Sequence, residues 1–308
     1  MRRLTAISAA IAMAFGASTL ALAGDDNFAQ TYQNGNGNTA TVDQTSADNA
    51  NRLLQFGMPQ GGILPGWLGN HDTIHQVGNG NTATVTEAAN GSADITAQVN
   101  QQGNGNTATI NTSGTGVWGY ITTVGNNSTA TITQVSGNNA AGYISQGFKT
   151  NTSNGNVATI TQTGTDGEWN NNNYAALPGG GGGFIWNDTN IAQDGALNQA
   201  IIYQQGSSNS SADIIQIGSG NSGSISQYSV AHNSLASIEQ YGTGNYASSS
   251  ASGDADSSIL QRGADNFAFT TQLYTVGNPN VAAIVQTGNA NFAGVTQQGG
   301  GNRATVRQ

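Results

Sequence analysis

The sequence predicts an all-β protein, a β-solenoid of stacked strand-turn-strand coils with two short strands in each coil of roughly 22 residues. Three observations predict this fold. A unit of 11 residues recurs, as the spacing of Gln286, Gln297 and Gln308 illustrates. Within each unit polar and apolar residues alternate, which is typical of a β-strand. Glycine-containing turns separate the strands, and only 7% of the residues are charged.

Composition argues against both an ordinary globule and a disordered chain. Leucine, isoleucine, valine and phenylalanine make up 55 of the 308 residues, below the level of roughly 20% at which disorder becomes the expected state. Disorder of this kind normally comes with a high net charge per residue, which this sequence lacks. Its abundant Asn, Gln, Ser, Thr and Gly favour β-assembly through ladders of side-chain amides. Because there is no cysteine, stability has to come from backbone pairing and stacking.

Residues 1–23 have the features of a secretory signal peptide. Arg2 and Arg3 form a basic start, residues 4–22 are mostly apolar or small, and residues 21–23 read Ala-Leu-Ala, a small-x-small cleavage site. A membrane anchor is the weaker alternative, because the apolar stretch is short and diluted by Ser, Thr and Gly. The chain from Gly24 keeps 16 acidic and five basic residues, so its formal charge is 5 − 16 = −11. That charge argues against nucleic acid as a partner.

Each repeat unit combines a strand with a turn. Asn38, Ala40, Val42 and Gln44 alternate with other residues and share one face of a predicted strand. The turn before them contains Gly35, which adopts positive φ without strain. Such a strand cannot bury its apolar face alone, and coils stacked roughly 4.8 Å apart would enclose Ala, Val and Ile between two sheets. The closing residues indicate about 22 units, or about 11 coils, in one domain over residues 24–308.

Inward Asn and Gln recur as regularly as the apolar residues. A buried amide without a partner costs about 1–3 kcal/mol, whereas amides stacked from coil to coil satisfy one another as a ladder. We therefore predict that these amides form a self-assembly site and set the register between subunits. The predicted amide ladder comprises Gln33, Asn38, Gln44, Asn49, Gln55, Gln76, Asn81, Asn106, Gln134, Asn156, Gln162, Gln193, Asn198, Gln204, Gln216, Asn221, Gln227, Gln240, Asn245, Gln261, Asn266, Gln272, Gln286, Asn291, Gln297, Asn302 and Gln308. The predicted turn glycines are Gly35, Gly78, Gly103, Gly125, Gly195, Gly218, Gly242, Gly263, Gly288 and Gly299.

Two insertions interrupt the repeat, at about residues 57–69 and 164–186. The first contains Pro59, Pro65 and Trp67, and the second contains an uninterrupted run of glycines. Both follow a Gln and precede an Asn, so we expect loops that bulge from turns. Loops on solenoids can carry function, but a tolerated surface insertion is the favoured interpretation.

The unit resembles the curlin repeat of bacterial curli subunits, S-x5-Q-x-G-x2-N-x-A-x3-Q. A copy over residues 257–272 carries Gln261, Gly263, Asn266 and Ala268 at the motif positions, with its leading Ser displaced by one residue. The resemblance covers nearly all of the chain after the signal peptide, apart from the two insertions. One copy would be weak evidence, whereas about ten copies in register are strong evidence.

The resemblance implies a secreted structural protein that self-assembles into extracellular functional amyloid fibres, for biofilm matrix and surface adhesion. It implies fibre partners, namely the chain itself and other curlin-like subunits, and a curli-type export pore with accessory chaperones in a two-membrane bacterium. The chain departs from the family's major subunits in two ways: it carries more repeats, and no Gly-rich secretion tag follows Gly24. Arg303 and Arg307 give a basic end, as in minor, nucleating subunits, although the major type is favoured.

No sequence pattern points to catalysis or to a metal site. His71 and His75 would lie about 13 Å apart on a strand, too far for one ion, and His232 stands alone. Acidic residues are scattered, whereas a polysaccharide-cleaving β-helix needs a cluster of charged residues on a groove. We therefore predict that the protein is not an enzyme and that it has no catalytic residue, metal ligand or cofactor.

The alternative from another functional class is an ice-binding β-solenoid. Its basis is an array of outward Thr-x-Thr pairs, which could match an ice lattice if the face were flat and regular. In the C-terminal half, residues such as Phe267 and Phe269 interrupt the array, and Thr is also a common exposed strand residue. The pairs are Thr39/Thr41, Thr82/Thr84, Thr107/Thr109 and Thr129/Thr131.

Overall fold

The computed structural model describes residues 18–19, 28–45, 71–89, 95–115, 117–138, 140–147, 153–163, 188–205, 210–228, 234–273 and 279–308. All regular structure in these ranges is β-strand, and they contain no helix that could cross a membrane. The strands are β1 (Ser18–Thr19), β2 (Phe28–Asn34), β3 (Thr39–Thr45), β4 (His71–Val77), β5 (Thr82–Ala89), β6 (Ile95–Asn104), β7 (Thr107–Thr115), β8 (Val117–Asn126), β9 (Thr129–Asn138), β10 (Ala141–Gln146), β11 (Ser153–Asn154), β12 (Val157–Thr163), β13 (Asp188–Ala196), β14 (Gln199–Gln205), β15 (Ser211–Ser219), β16 (Ser222–Tyr228), β17 (Leu235–Thr243), β18 (Tyr246–Ser252), β19 (Ala255–Ala264), β20 (Phe267–Leu273), β21 (Asn280–Thr287), β22 (Phe292–Gln298) and β23 (Arg303–Arg307).

The strands form two sheets whose inner faces enclose one core. Sheet A has 11 strands in the order β1-β3-β5-β7-β9-β12-β14-β16-β18-β20-β22. Sheet B has 12 strands, in the order β2-β4-β6-β8-β10-β13-β15-β17-β19-β21-β23, with the short β11 beside β8 and β13. Apart from β11, the chain alternates between the sheets, and neighbouring strands are parallel. The chain therefore winds as a two-strand coil, and the predicted β-solenoid is confirmed.

The closing Gln residues set the register of each sheet. Where no insertion is predicted, stacked partners lie one coil apart in sequence, for example 24 residues from Gln216 to Gln240. The separation is 43 residues between Gln33 and Gln76 and 42 between Gln162 and Gln204, where the predicted insertions fall. The insertions themselves, residues 57–69 and 164–186, lie outside the described residues.

The core is a thin layer of small and β-branched side chains. In β15 the burial alternates along the strand, with Ala212, Ile214 and Gln216 buried and the residues between them half-buried. Burying an Ile side chain contributes about 1.5–3 kcal/mol. At the position that Ala usually occupies, the opposite sheet is close, since a Cβ atom at Gly119 would lie 2.8 Å from Cγ2 of Ile110. This proximity explains why small residues recur there.

Polar substitutions occur at several core positions. Asp72 and Glu87, on β4 and β5, have no solvent exposure. Farther along, Ser249, Ser257 and Thr270 form a closed set of hydroxyl contacts of 2.8, 2.8 and 3.1 Å. Each of these three hydroxyls has a partner, as buried polar groups require.

Both ends of the described solenoid have open strand edges. At one end, β22 and β23 pair only with β20 and β21 within the described residues. At the other end, β2 pairs with β4, whereas β3 pairs both with β5 and with β1. Ser18 lies beside Ala40 and Thr19 beside Thr41. The strand β1 belongs to the predicted signal peptide, residues 1–23, and the rest of that segment lies outside the described residues.

Candidate self-assembly site

A column of glutamine side chains runs through the interior of sheet B. The Nε2 group of one residue donates to the Oε1 atom of the next, at 2.8 Å from Gln216 to Gln240 and 2.9 Å from Gln240 to Gln261. Thr123 occupies one position in the column and donates from Oγ1 to Gln146 at 3.1 Å. The same Gln-to-Gln contact joins Gln33 to Gln76, Gln76 to Gln101, Gln146 to Gln193, Gln193 to Gln216, Gln261 to Gln286 and Gln286 to Gln308.

The second hydrogen of each ladder amide ties the column to the opposite sheet. Gln216 donates from Nε2 to the backbone carbonyl of Gln199 at 2.7 Å. Gln286 makes the same contact with the carbonyl of Phe267 at 3.1 Å. Both N–H groups are therefore used, which offsets the cost of burying the amide. The arrangement couples stacking along the rod to the distance between the two sheets.

The corresponding column in sheet A is interrupted. Glu87 and Thr112 occupy the early positions, with Gln44 placed beside Glu87 by register. Ala251 occupies a later position, next to Gln227. The Gln-to-Gln contacts join Gln134 to Gln162 at 2.7 Å, Gln162 to Gln204 at 3.0 Å, Gln204 to Gln227 at 2.6 Å, and Gln272 to Gln297 at 3.0 Å. The longest unbroken run of Gln-to-Gln contacts is thus in sheet B, from Gln146 to Gln308.

Some members of the ladder differ from those predicted from the sequence. Asn49 and Gln55 lie outside the described residues. Gln101 and Gln146 belong to the column of sheet B, although the predicted ladder omitted them. Gln146 lacks the usual spacing of 11 from Gln134, and its turn is irregular. Gln146 is followed directly by Gly147, and this Gln-Gly dipeptide is the sequence feature that could have identified it as a ladder residue.

A second column, of asparagine side chains, joins the turns that lead from sheet B to sheet A. Asn245 donates from Nδ2 to Oδ1 of Asn221 at 3.1 Å and to the carbonyl of Gly263 at 3.0 Å. The Oδ1 atom of Asn221 also accepts the backbone N–H of Asn245 at 3.1 Å. Each such side chain therefore fastens its own turn to the turns on both sides. Similar contacts to neighbouring coils involve Asn38, Asn81, Asn106, Asn156, Asn198, Asn266 and Asn291.

Asn302 lies on the other edge of the rod, in a turn from sheet A to sheet B. Its backbone N–H donates to Oδ1 of Asn280 at 3.0 Å, and its Nδ2 group donates to the same atom at 3.2 Å. The side chain also reaches the carbonyl of Gln298 at 3.0 Å. Asn280 was absent from the predicted ladder, because the turn before it is longer than the repeat allows.

The ten predicted turn glycines all have positive φ, between 87° at Gly299 and 141° at Gly125. A Cβ atom at Gly218 would overlap the carbonyl oxygen of Gly242 in the next coil. Glycine is therefore required there by the close stacking of backbones as well as by the dihedral angle. At Gly299, on the last turn, a Cβ atom would meet nothing within 4 Å, since no further coil covers it among the described residues.

Aromatic side chains form a column on the outer face of sheet A. The rings of Tyr246 and Phe267 are stacked with centroids 4.7 Å apart, and those of Phe267 and Phe292 are stacked at 5.3 Å. Phe269 meets Phe292 edge-on at 6.1 Å. Such pairs add to the stability of neighbouring strands. The column ends on β22 at Phe292, which is 64% exposed.

The Thr-x-Thr pairs also align from coil to coil. Register places Thr39, Thr82 and Thr107 next to one another, and the pattern continues through Thr129 on β9. The second Thr of each pair aligns in the same way. On the next strand of sheet A, Val157 takes the first position, so complete pairs span four consecutive coils.

Burial raises the pKa of several ionisable groups among the described residues. Burial raises the pKa of the half-buried Asp213 to about 6, and burial also raises the pKa of Asp256 and of Tyr143. The Nδ1 atom of His75 lies 3.2 Å from Oδ1 of Asn100. The described residues contain no group of three or more His, Asp or Glu that could hold a metal ion.

The ladder of sheet B has a direction. Every Gln-to-Gln contact donates towards the C-terminal end of the rod, so Gln33 presents its Oε1 atom at the first coil. At the last strand, Gln308 accepts from Gln286 and donates to the backbone carbonyl of Phe292 at 2.9 Å. Among the described residues this is the one hydrogen bond that its Nε2 group donates, which leaves its second hydrogen available. Gln297, the last ladder glutamine of sheet A, accepts from Gln272 in the same sense. The last ladder glutamine of each sheet therefore offers a donor at one end of the rod, and Gln33 offers an acceptor at the other.

Comparison with protein families gives one match. The profile described as the curlin associated repeat matches residues 24–57 and 277–308. The first match contains β2 and β3, and the second contains β21 to β23. The matches therefore lie at the two ends of the rod, where the open edges are. The chain matches no curated protein sequence.

Proposed function

The chain is a curlin-repeat protein, and from this premise we propose that it is a secreted subunit that self-assembles into extracellular, curli-like amyloid fibres. The family is one of structural fibre proteins rather than of enzymes. The observation that carries the proposal is the pair of complementary open ends. Unpaired edge strands invite pairing with another chain, and here the directional amide ladder offers a donor to an acceptor.

The internal architecture supports the same conclusion. Amyloid stacks strands perpendicular to the fibre axis, with identical side chains in register and amides in ladders. Successive coils of sheet B already have that arrangement, as Gln193, Gln216 and Gln240 illustrate. Addition of a subunit would repeat an existing contact, so no new type of interface is needed.

Biological setting follows as part of this proposal. The fibres would lie at the cell surface and contribute to biofilm matrix and adhesion. The chain would leave through the periplasm of a two-membrane bacterium, by a curli-type pore and with accessory chaperones. Copies of the chain and other curlin-like subunits would be its fibre partners. We propose a major-type subunit, because the rod carries a long run of stacked amides of the kind that a fibre requires.

The direct test uses the chain that begins at Gly24, which contains every described strand except β1. Incubation should give a rise in thioflavin fluorescence and fibres with a cross-β reflection at about 4.8 Å. A chain that stays monomeric and lacks this reflection contradicts the proposal.

A matched pair of variants locates the growing edge. Backbone N–H and C=O groups of successive residues in a strand point to opposite neighbours. Asn302 and Gln308 bond to β21, so the even-numbered residues of β23 face β21 and the backbone groups of Thr305 face away from it. Thr305→Pro therefore removes an outward N–H without removing a bond inside the rod. We expect Thr305→Pro to stop elongation at this end and Thr305→Ala to leave it intact. Equal elongation of the two variants would show that this edge is not used.

Ice binding is the second candidate, because the Thr-x-Thr pairs align over four coils of sheet A. Thermal hysteresis of the freshly purified soluble chain separates the two functions. The fibre proposal predicts none. Hysteresis that disappears in Thr84→Leu and Thr109→Leu variants would favour ice binding instead.

A further inference from the structure

The open edges at the C-terminal end are staggered by one strand. Within the described residues, sheet A ends with β22 and sheet B ends with β23. At the N-terminal end the first coil consists of β2 in sheet B and β3 in sheet A. The solenoid thus begins and ends in sheet B, which is possible only with an odd number of strands along its winding path.

We propose that a second copy joins this end with its two sheets exchanged. In this joint, β2 of the second copy extends sheet A next to β22, and β3 of the second copy extends sheet B next to β23. The proposal rests on the proposed self-assembly and specifies its geometry. Successive copies are then related by half a turn about the rod axis.

Continuity of the winding favours this exchange. The path alternates between the sheets, so the position that follows β23 is in sheet A. Suppose instead that β2 of the second copy paired with β23 in sheet B. Then β3 of the second copy would lie in sheet A, and one empty strand position would separate it from β22. That gap would leave a row of backbone N–H and C=O groups unpaired inside the fibre, at a cost of about 1–3 kcal/mol for each buried group. The exchanged joint pairs both edges.

The sequences of the edge strands match in the exchanged register. Aligning Gln308 with Gln44 of the second copy sets residues 304–308, Ala-Thr-Val-Arg-Gln, beside residues 40–44, Ala-Thr-Val-Asp-Gln. The one difference places the exposed Arg307 beside the exposed Asp43 of the second copy. An Arg and an Asp that face each other across neighbouring strands stabilise the pair. In the unexchanged register Arg307 would meet Tyr32 instead.

The turns match as well. Asn302 follows Gln297 by five residues, as Asn38 follows Gln33. On the same side of the rod, Asn280 follows Gln272 by eight residues, whereas the aligned Ala255 follows Ala251 by four. The last turn therefore has the length of those that stack on one another through glycine and asparagine contacts. In the exchanged joint it lies against the first turn of the second copy.

The aromatic column supplies an independent indication. It follows sheet A through Tyr246 and Phe267 and ends at Phe292, whose ring is 64% exposed at the open edge. In the exchanged register, aligning Gln297 with Gln33 places Phe28 of the second copy beside Phe292. The joint thus continues the sequence of aromatic residues along sheet A, whereas the unexchanged register would place Phe28 beside Arg303.

Cysteine cross-linking tests the joint, because the chain has no cysteine of its own. Neighbouring strands bring aligned Cα atoms to about 4.8 Å, within reach of a disulfide. A Thr305→Cys chain is co-assembled with a Thr41→Cys chain, its neighbour in the exchanged register. The matched control replaces the second chain by Gln30→Cys, the neighbour in the unexchanged register. Fibres are oxidised, dissolved and separated on a non-reducing gel.

We expect the disulfide-linked dimer to be the major species with Thr41→Cys and to stay at background with Gln30→Cys. Fibres that cross-link through Gln30→Cys, or through neither residue, overturn the exchanged joint while leaving self-assembly intact. Absence of fibres from the unsubstituted chain under the same conditions overturns the proposed function, and the joint with it.

Discussion

Gln240 illustrates at the residue scale why an amide is retained at a fully buried position. Its Nε2 group donates to Gln261 and to the carbonyls of Ser222 and Asn245, while its Oε1 atom accepts from Gln216. No other neutral side chain of this length offers both a donor and an acceptor. Ala251 shows that the rod tolerates a missing rung, but only in the interrupted column of sheet A.

The effect of a substitution at Gln240 on the free energy of unfolding should therefore depend more on the charge of the new side chain than on its size. Gln240→Leu leaves the acceptor of Gln261 without its donor, and we expect a loss of about 1–3 kcal/mol in the free energy of unfolding. Gln240→Glu places a carboxylate against three oxygen acceptors and should cost more at pH 7. The loss from Glu should shrink on acidification, because the protonated acid can donate. Guanidinium unfolding at pH 7 and pH 4 measures this, and a pH-independent difference between the two variants would contradict it.

The carboxyl group of Asp213 makes a second prediction at this scale. It lies on β15 between Asn190 and Ser237 of the flanking strands, with Ser211 and Ile215 on the same face and Glu239 on the next strand. Burial raises its pKa to about 6, so folding favours the protonated acid. The folded state is therefore destabilised as the pH rises from about 4 to about 6. After allowance for partial exposure, Asp213→Asn should stabilise the protein by about 1–2 kcal/mol at pH 7.

A measurement at low pH provides the control for the Asp213 prediction. Below the unfolded-state pKa both forms of Asp213 are protonated, and the difference between Asp213→Asn and the unsubstituted chain should vanish. Melting temperatures at pH 3 and pH 7 give the comparison. A benefit of equal size at both values would mean that charge is not the cause.

At the scale of the strand-turn unit, the turn glycines fix the stacking distance. Gly218→Ala should prevent close approach of the next coil, because its Cβ would overlap the carbonyl oxygen of Gly242. We expect a loss of about 2–4 kcal/mol in the free energy of unfolding. The matched control is Gly220→Asn in the same turn, whose φ of 63° resembles the 54° of Asn127. Denaturant unfolding should show a small effect for the control, and equal losses would contradict the overlap argument.

Strands and turns were predictable because each follows from residues close in sequence. The period of two in residues 38–44 and the glycine at position 35 suffice for one unit. Contacts across an insertion were not predictable in this way, since nothing local indicates that Gln33 lies beside Gln76. The burial of Asp72 was not predictable either, because an acid at an Ala position contradicts the pattern that defines the unit.

The candidate site shows the same division between local and non-local information. Regular repeats identified amides such as Gln216 and Asn245 as inward residues. The direction of the ladder depends on the orientation of each amide, which the sequence does not encode locally. To predict the interruption of the sheet A column at Ala251, one must know which units share a sheet. Because the chain alternates between the sheets, that assignment depends on whether the number of strands between two units is odd or even.

At the scale of the whole molecule, β1 occupies a place that the proposed fibre needs. Ser18 and Thr19 pair with Ala40 and Thr41 on the free edge of β3. In the exchanged joint this edge receives β23 of the preceding copy, so one edge would have two competing partners. Because β1 belongs to the predicted signal peptide, removal of residues 1–23 would expose the edge only after export. A leader that covers an edge strand is one way to prevent premature pairing.

A chain that retains residues 1–23 should therefore assemble more slowly than the chain that begins at Gly24. We expect a longer lag in thioflavin fluorescence and poor elongation of preformed seeds, because the retained segment competes for the edge of β3. The matched control retains the segment but carries Ser18→Pro and Thr19→Pro, which remove the N–H groups that β1 can donate. This control should recover most of the rate of the shorter chain. If the two retained-leader chains assemble equally slowly, bulk or apolar character of the segment is responsible, and the pairing of β1 with β3 has no protective role.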